Sequence, residues 1–237
     1  MSHKRGTSFF MSRAQRYLQV KNELPATVTL VAVSKTHPSE CVKEVYDAGC
    51  RDFGENKVQE LAQKYVELPK DIRWHLIGHL QTNKVKQVVP IVHLIHSVDS
   101  IKLLSEINKE AAKINKTIDC LLQFHIATEE TKFGFSIDEI SSPEVIQSIT
   151  QFKNVRLRGV MGMASFSDDK KLVREEFAVL KNHHTVLKQS YFTNNSEFNI
   201  ISMGMSGDYE IAIEEGSTMV RVGTTIFGQR EYLKNMG

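Results

Sequence analysis

Leu30-Val31-Ala32-Val33-Ser34-Lys35-Thr36 is a nearly unbroken apolar, β-branched run that ends on a lysine and leads into His37 and Pro38. Runs of this kind read as strands buried on both faces, as in parallel sheets, and the proline suits the first turn of a following helix. Lys35 therefore stands at the carboxyl end of a buried strand, where an amine can act as a nucleophile.

Working outward, the same alternation of short apolar run and longer amphipathic run repeats along the chain. Val28–Val33 precedes a helix from Pro38 to Ala48, with Gly49 as its stop, and Asp52-Phe53-Gly54 precedes one from Glu55 to Leu68. Arg73–Ile77 is followed by Gly78 and a helix over Thr82 to Val89, and Val92–Ile95 by Ser97-Val98-Asp99 and a helix carrying Ile101, Leu103, Leu104 and Ile107. Ile118–Ile126 leads to a helix from Ser136 or Pro143 to Thr150, and Val155–Met161 to a loop through Asp168 and Asp169 and a helix to Lys188. Phe198–Ile201 gives way to a helix through Ile211 to Glu215, and Thr218–Val222 to a short helix-like tail. Eight strand-like runs alternating with helices in 237 residues predict an α/β fold, a single (β/α)8 TIM barrel spanning residues 1–237. A doubly wound open sheet is the competing topology, but no G-x-G-x-x-G follows the first run. Phe9, Phe10, Ala14, Tyr17, Leu18 and Val20 recur at helical spacing, so residues 1–26 predict an extra N-terminal helix packed on the barrel.

The formal charge is +2 and the charged residues are scattered, which marks no face for nucleic acid or an anionic membrane and favours a small-molecule partner. Cys41, Cys50 and Cys120 form no C-x-x-C pair and fit reduced thiols used as small apolar fillers. The N-terminus lacks the apolar core of a signal peptide and no run is long enough to span a membrane, so the expected location is cytoplasmic. His75 and His79 straddle a strand end without the glutamate of H-E-x-x-H, and His93, His96, His183 and His184 read as packing or surface residues.

In a barrel the active face is the carboxyl end of the strands. Here that end collects Lys35, Glu55 and Asn56, His79, Ser97 and Asp99, Ser202, and Gly223 with Thr224. The loops after strands seven and eight, Ser202-Met203-Gly204-Met205-Ser206-Gly207 and Gly223-Thr224-Thr225, supply the glycines and hydroxyls of a phosphate cradle. A helix opening near Ser206 would add its positive end. Arg221 lies inside the eighth apolar run and needs a partner, either a carboxylate such as Glu55 or Glu210 or an acceptor on a ligand. A lysine nucleophile, a phosphate cradle and an arginine for a ring nitrogen together describe a pyridoxal 5'-phosphate site, with Met161, Met163, Met203, Met205 and Met219 as core or pocket lining.

Several segments then carry a resemblance: Ala32-Val33-Ser34-Lys35-Thr36, Phe53-Gly54-Glu55-Asn56 with Val58-Gln59-Glu60, Trp74-His75-Leu76-Ile77-Gly78-His79-Leu80-Gln81, Lys132-Phe133-Gly134, Leu157-Arg158-Gly159-Val160-Met161, Ser202-Met203-Gly204-Met205-Ser206 and Val220-Arg221-Val222-Gly223-Thr224. In this order they resemble the pyridoxal phosphate homeostasis family, single-domain relatives of the alanine racemase barrel of fold-type III. The resemblance implies that Lys35 carries the cofactor as a Schiff base, that Ser202, Gly204, Met205, Ser206, Gly223 and Thr224 surround its phosphate, that Arg221 faces the pyridine nitrogen and that Asn56 lines the pocket. Lys57 departs from the tyrosine many relatives carry after the Glu-Asn pair. An arginine on the ring nitrogen leaves that nitrogen unprotonated and the cofactor a weak electron sink. Ending at Gly237, the sequence leaves no room for the second, β-rich domain of the racemases. The expectation is a monomeric carrier or buffer of the cofactor in vitamin B6 and amino-acid homeostasis, with apo-enzymes as recipients. A weak amino-acid racemase is the alternative, and a barrel for some other phosphorylated ligand a third reading.

Overall fold

Each apolar run forms a parallel strand that the following helix carries back across the outside of the sheet. The computed structural model describes residues 11–128 and 133–229. Phe9, Phe10, Lys132 and residues 230–237 of the expected features lie outside the described residues. Helix α1 (Arg13–Glu23) precedes β1 (Thr29–Val33), α2 (Ser39–Asp47), β2 (Asp52–Glu55), α3 (Val58–Glu67) and β3 (Arg73–Leu76). A 3-10 turn at Thr82–Lys84 runs into α4 (Val85–Val88), followed by β4 (Leu94–Val98), α5 (Ile101–Lys113) and β5 (Ile118–Gln123). Next come α6 (Ile137–Ile140), α7 (Pro143–Thr150), β6 (Val155–Met161) and α8 (Lys170–Ser190). The last elements are β7 (Ile200–Ser202), α9 (Tyr209–Glu214), β8 (Met219–Val222) and α10 (Thr224–Phe227). The strands pair in sequence order and β1 closes on β8 in parallel, with Val31 opposite Arg221, so the sheet is a closed eight-stranded barrel.

Strand alternation sorts the side chains into two cores. Val31, Leu94, Leu121, Met161 and Met219 meet inside the barrel. Alternate residues such as Ala32, Phe53, Trp74, Ile95 and Val220 point outward and pack with the helices in the larger cluster. On β1 the inward parity passes through Val31 and Val33 to Lys35, while Ser34 takes the outward parity. That parity aims Lys35 over the barrel mouth.

Helix ends follow local chemistry. Ser12 and Gln15 form a reciprocal capping box that starts α1 at Arg13, several residues inside the predicted start. Tyr17 and Val20 are buried, but Leu18, expected on the same face, is exposed. Arg16 Nε donates to the Ile226 carbonyl at 2.8 Å, docking α1 on α10. Both predicted starts after β5 are real, because Ser136 caps α6 and Ser142 with Pro143 opens α7.

Among the boundaries that differ from the sequence expectation, three have a clear local cause. β2 continues through Glu55 and α3 opens only at Val58, since Glu55 finds a buried partner on that helix. β4 is displaced to Leu94–Val98 because Val92 closes the turn after α4, bonding through its amide to the Val88 carbonyl, while the polar His96 and Ser97 are satisfied from neighbouring strands. α9 opens at Tyr209, three residues after Ser206, and is six residues long. No helix opens at Ser206 itself, and so short a helix beginning beyond it adds little positive end there.

Cys50 and Cys120 are buried apolar fillers, with burial pushing the Cys50 thiol up to about 12. Among the described residues no helix is long and apolar enough to cross a membrane, and no group of three His, Cys, Asp or Glu is placed to hold a metal ion.

Candidate functional site

A cleft of about 810 Å³ opens at the carboxyl end of the strands. Lys35, Asn56, Met205, Ser206, Arg221, Gly223 and Thr224 all line it, from the ends of β1, β2, β7 and β8. Ser202 and Gly204, expected beside them, are fully buried one layer beneath the cleft wall. A second hollow of about 460 Å³, at Ser190–Asn195, lies by the loop entering β7 at the opposite end and carries no charged side chain.

Lys35 is half-buried, and the backbone on both sides of it is held by a buried ionic cluster. Lys64 Nζ, on the inner face of α3, donates to the Ser34 carbonyl at 2.8 Å, to Glu55 Oε1 at 2.7 Å and to Glu60 Oε1 at 2.8 Å. These three bonds use all the protons of an ammonium group. Ser34 Oγ donates to the same Glu55 oxygen at 2.6 Å, and Thr36 donates through its amide to Glu60 Oε1 at 2.6 Å. Thr36 has a φ of 66°, a left-handed conformation that costs a β-branched residue about 1–3 kcal/mol and persists only where its surroundings enforce it. Burial pushes the Glu55 carboxyl up to about 7, against the pull of Lys64 and Ser34. Nothing in the sequence distinguishes Lys64 from an ordinary helix lysine, Glu60 stands out only as part of Val58-Gln59-Glu60, and Glu55, expected at the cleft, instead turns away from it toward α3.

Arg221 projects inward from β8 to the cleft floor. Its Nη1 donates to Ser202 Oγ at 2.6 Å and its Nη2 to the Gly162 carbonyl at 3.0 Å. Neither carboxylate considered from sequence is its partner: Glu55 is engaged by Lys64, and Glu210 is exposed on α9. Burial lowers the guanidinium to about 10, offset in part by Asp208, and it stays protonated at neutral pH. Beside it Ser206 Oγ accepts the Gly223 amide at 3.1 Å, which ties together the loops after β7 and β8. Asp208 accepts the Met205 amide at 2.5 Å, and Thr224 and Thr225 add hydroxyls to the same wall.

The opposite wall rests on β3 and β4. Gly78 lies so close to Asn56 that a Cβ would stand 2.4 Å from the Asn56 carbonyl oxygen, and its own carbonyl accepts from Ser97 Oγ at 2.6 Å. This contact fixes the backbone that carries Asn56. His79 Nδ1 is 2.9 Å from Asp99 Oδ2, and its ring stacks on Phe133 at 4.5 Å between centroids. Glu176, buried on α8, accepts from the Thr128 and Ser165 amides and so joins the loops after β5 and β6. Phe133, quoted in the sequence only within Lys132-Phe133-Gly134, lies at the rim with Phe166, and neither Phe166 nor Glu176 stands out in the sequence, because only the loops' positions bring them there.

The chain matches the family of the alanine racemase N-terminal domain over residues 13–231. It is 41% identical over 204 residues to the pyridoxal phosphate homeostasis protein of Aquifex aeolicus, covering 86% of this chain and 87% of that one. Among solved structures it is similar to PipY of Synechococcus elongatus PCC7942, solved without PLP (TM-score 0.86) and with PLP bound (TM-score 0.83). Identity to both is 34%, over 92% of this chain and all of theirs. Alanine racemase of Clostridium difficile shares the fold at 14% identity and a TM-score of 0.69, over 92% of this chain and 56% of that one.

Proposed function

Since the chain belongs to the pyridoxal phosphate homeostasis proteins, within the family of the alanine racemase N-terminal domain, we propose that it holds pyridoxal 5'-phosphate covalently on Lys35 and acts as its carrier or buffer in the cytoplasm. The observation that carries this reading is the convergence of Lys35, Arg221 and the Ser206–Gly223 cradle on one cleft from three different strand ends. The donor set fits the group: an amine for an aldehyde, loop hydroxyls for a phosphate, and a guanidinium for a ring nitrogen. Lys35 would hold the group covalently through its amine, and the group would supply a reactive aldehyde at that position. Ser206, Thr224 and Thr225 would hold the phosphate, with the Gly223 amide already engaged by Ser206 and stiffening the cradle. Ser202 and Gly204 support that wall from beneath.

Arg221 favours a carrier over an enzyme. A guanidinium that stays protonated at neutral pH donates to the ring nitrogen and withholds a proton from it, which weakens the electron sink that racemisation needs. The relatives' names agree in kind, since they denote a homeostasis protein and not a racemase. The recipients of the cofactor on this reading are apo forms of the enzymes that use it, met by a monomeric barrel.

The test adds pyridoxal 5'-phosphate to the wild-type chain and to Lys35→Ala. Wild type gains a visible absorption band and Lys35→Ala does not; retained colour in the variant would move the site elsewhere. Incubation of the loaded protein with single L-amino acids in deuterated water should show α-proton exchange no faster than free cofactor supports. Exchange clearly above that control would make the chain an enzyme.

A further inference from the structure

A line of buried side chains crosses the inside of the barrel from its amino-terminal end to the cleft floor. Asp52 Oδ1, at the start of β2, is 3.1 Å from His75 Nε2; His75 Nδ1 is 2.9 Å from His96 Nε2; and His96 Nδ1 is 3.0 Å from Ser202 Oγ. Ser202 Oγ in turn accepts from Arg221 Nη1 at 2.6 Å. His96 and Ser202 are fully buried, and His75 and Arg221 nearly so.

With neutral imidazoles the carboxylate end sets the direction of every bond, since a carboxylate only accepts. His75 then carries its proton on Nε2 and gives it to Asp52, which leaves its Nδ1 to accept from His96 Nε2. His96 Nδ1 is left to accept the Ser202 hydroxyl proton, and Ser202 Oγ accepts from Arg221, whose guanidinium only donates. This assignment satisfies each group with both imidazoles neutral. Burial, with the charge of Arg221 adding to it, holds His96 well below the ordinary histidine value. Burial also opposes ionisation of Asp52, but hydrogen bonds from His75 and Arg73 outweigh it and hold that carboxyl well below the usual carboxylate range.

Among the described residues no carboxylate forms an ion pair with Arg221, Asp208 offsets its burial only in part, and a buried cation without full compensation is costly. The oriented bonds of the relay polarise one another and point their acceptor ends at the guanidinium. We propose that Ser202, His96, His75 and Asp52 are positioning residues that fix Arg221 at the cleft floor and offset its charge from the opposite end of the barrel. Toward pyridoxal 5'-phosphate this inference rests on the reading of the cleft given above; toward Arg221 it does not. It also gives Ser202 a role distinct from the phosphate contact expected from sequence.

Two measurements test it. In the ligand-free wild type, nitrogen-15 spectra of the histidine rings should show His75 and His96, assigned through single His→Gln variants, as neutral Nε2–H tautomers whose ring protons exchange slowly with water. An Nδ1–H tautomer or an imidazolium at either position would overturn the relay. In the loaded protein, Asp52→Asn should speed release of pyridoxal 5'-phosphate by roughly tenfold, the scale of coupling between linked sites. Asp119→Asn, which breaks a comparable ion-paired carboxylate bound to Arg156 and Arg158 on β6, should leave release unchanged. Equal effects of the two variants, or none from Asp52→Asn, would count against the relay. A chain that never takes up pyridoxal 5'-phosphate would sink the proposed function, while the tautomer measurement would still decide the relay.

Discussion

Lys64→Met is expected to lower folding stability by about 3–5 kcal/mol near neutral pH, the usual cost of leaving one partner of a buried ion pair alone. Lys64 and Glu55 are both almost inaccessible to solvent and 2.7 Å apart, so neither water nor another cation replaces the lost ammonium. The same substitution removes the bond to the Ser34 carbonyl and frees Glu60, which holds the strained Thr36. At roughly 2–4 °C per kcal/mol for a chain of this length, the thermal midpoint should fall by about 10 °C.

The deficit should also depend on pH. Burial raises Glu55 to about 7 in the folded chain, against about 4.3 when unfolded. The folded state therefore holds this proton more tightly, and the contribution of Glu55 to stability declines as pH rises from about 4.3 and levels off above 7. Without Lys64 the folded value moves higher still. Unfolding curves should show the smallest deficit for Lys64→Met at pH 5 and the largest at pH 8, and Glu55→Gln combined with Lys64→Met should recover most of it. A deficit below 1 kcal/mol at pH 8 would mean that the cluster does not support the lysine loop.

Gly159→Ala should be more damaging still. Gly159 pairs with Ile200 across β6 and β7, its φ is 147°, and a Cβ there would stand 1.9 Å from the Ile200 carbonyl oxygen. That atom belongs to the backbone of the neighbouring strand and cannot turn aside. The strands must separate where β7 leads into Ser202, so a loss above about 4 kcal/mol and little folded protein are expected. Gly207→Ala is the contrast, because a Cβ there meets nothing within 4 Å, and its effect on stability should stay within about 0.5 kcal/mol. Expression and urea unfolding of the two variants side by side check both statements.

The sequence carried the parity that places Lys35 over the barrel mouth, because Val31, Val33 and Lys35 fall on one face of a strand whatever surrounds it. It also carried the loops after β7 and β8, since their glycines and hydroxyls are legible as turn chemistry. What it could not carry were partners from distant strands. His96 and Ser97 look too polar for a buried strand until β3 and β7 supply their bonds, which is why the boundary of β4 was read too early. Arg221 seemed to need a carboxylate, and the fold meets that need through a hydroxyl and two imidazoles reaching across the barrel. Lys64 looked like one more solvated helix lysine, and only the packing of α3 behind β1 brings it to the Ser34 carbonyl, thirty residues away.

The central claim, that Lys35 is the anchor for pyridoxal 5'-phosphate, is tested most directly by borohydride reduction of the loaded chain followed by peptide mapping. The expected result is one reduced phosphopyridoxyl group, on the peptide containing Ser34-Lys35-Thr36, and none after Lys35→Ala. A label on Lys57 or Lys64 with Lys35 unmodified would contradict it.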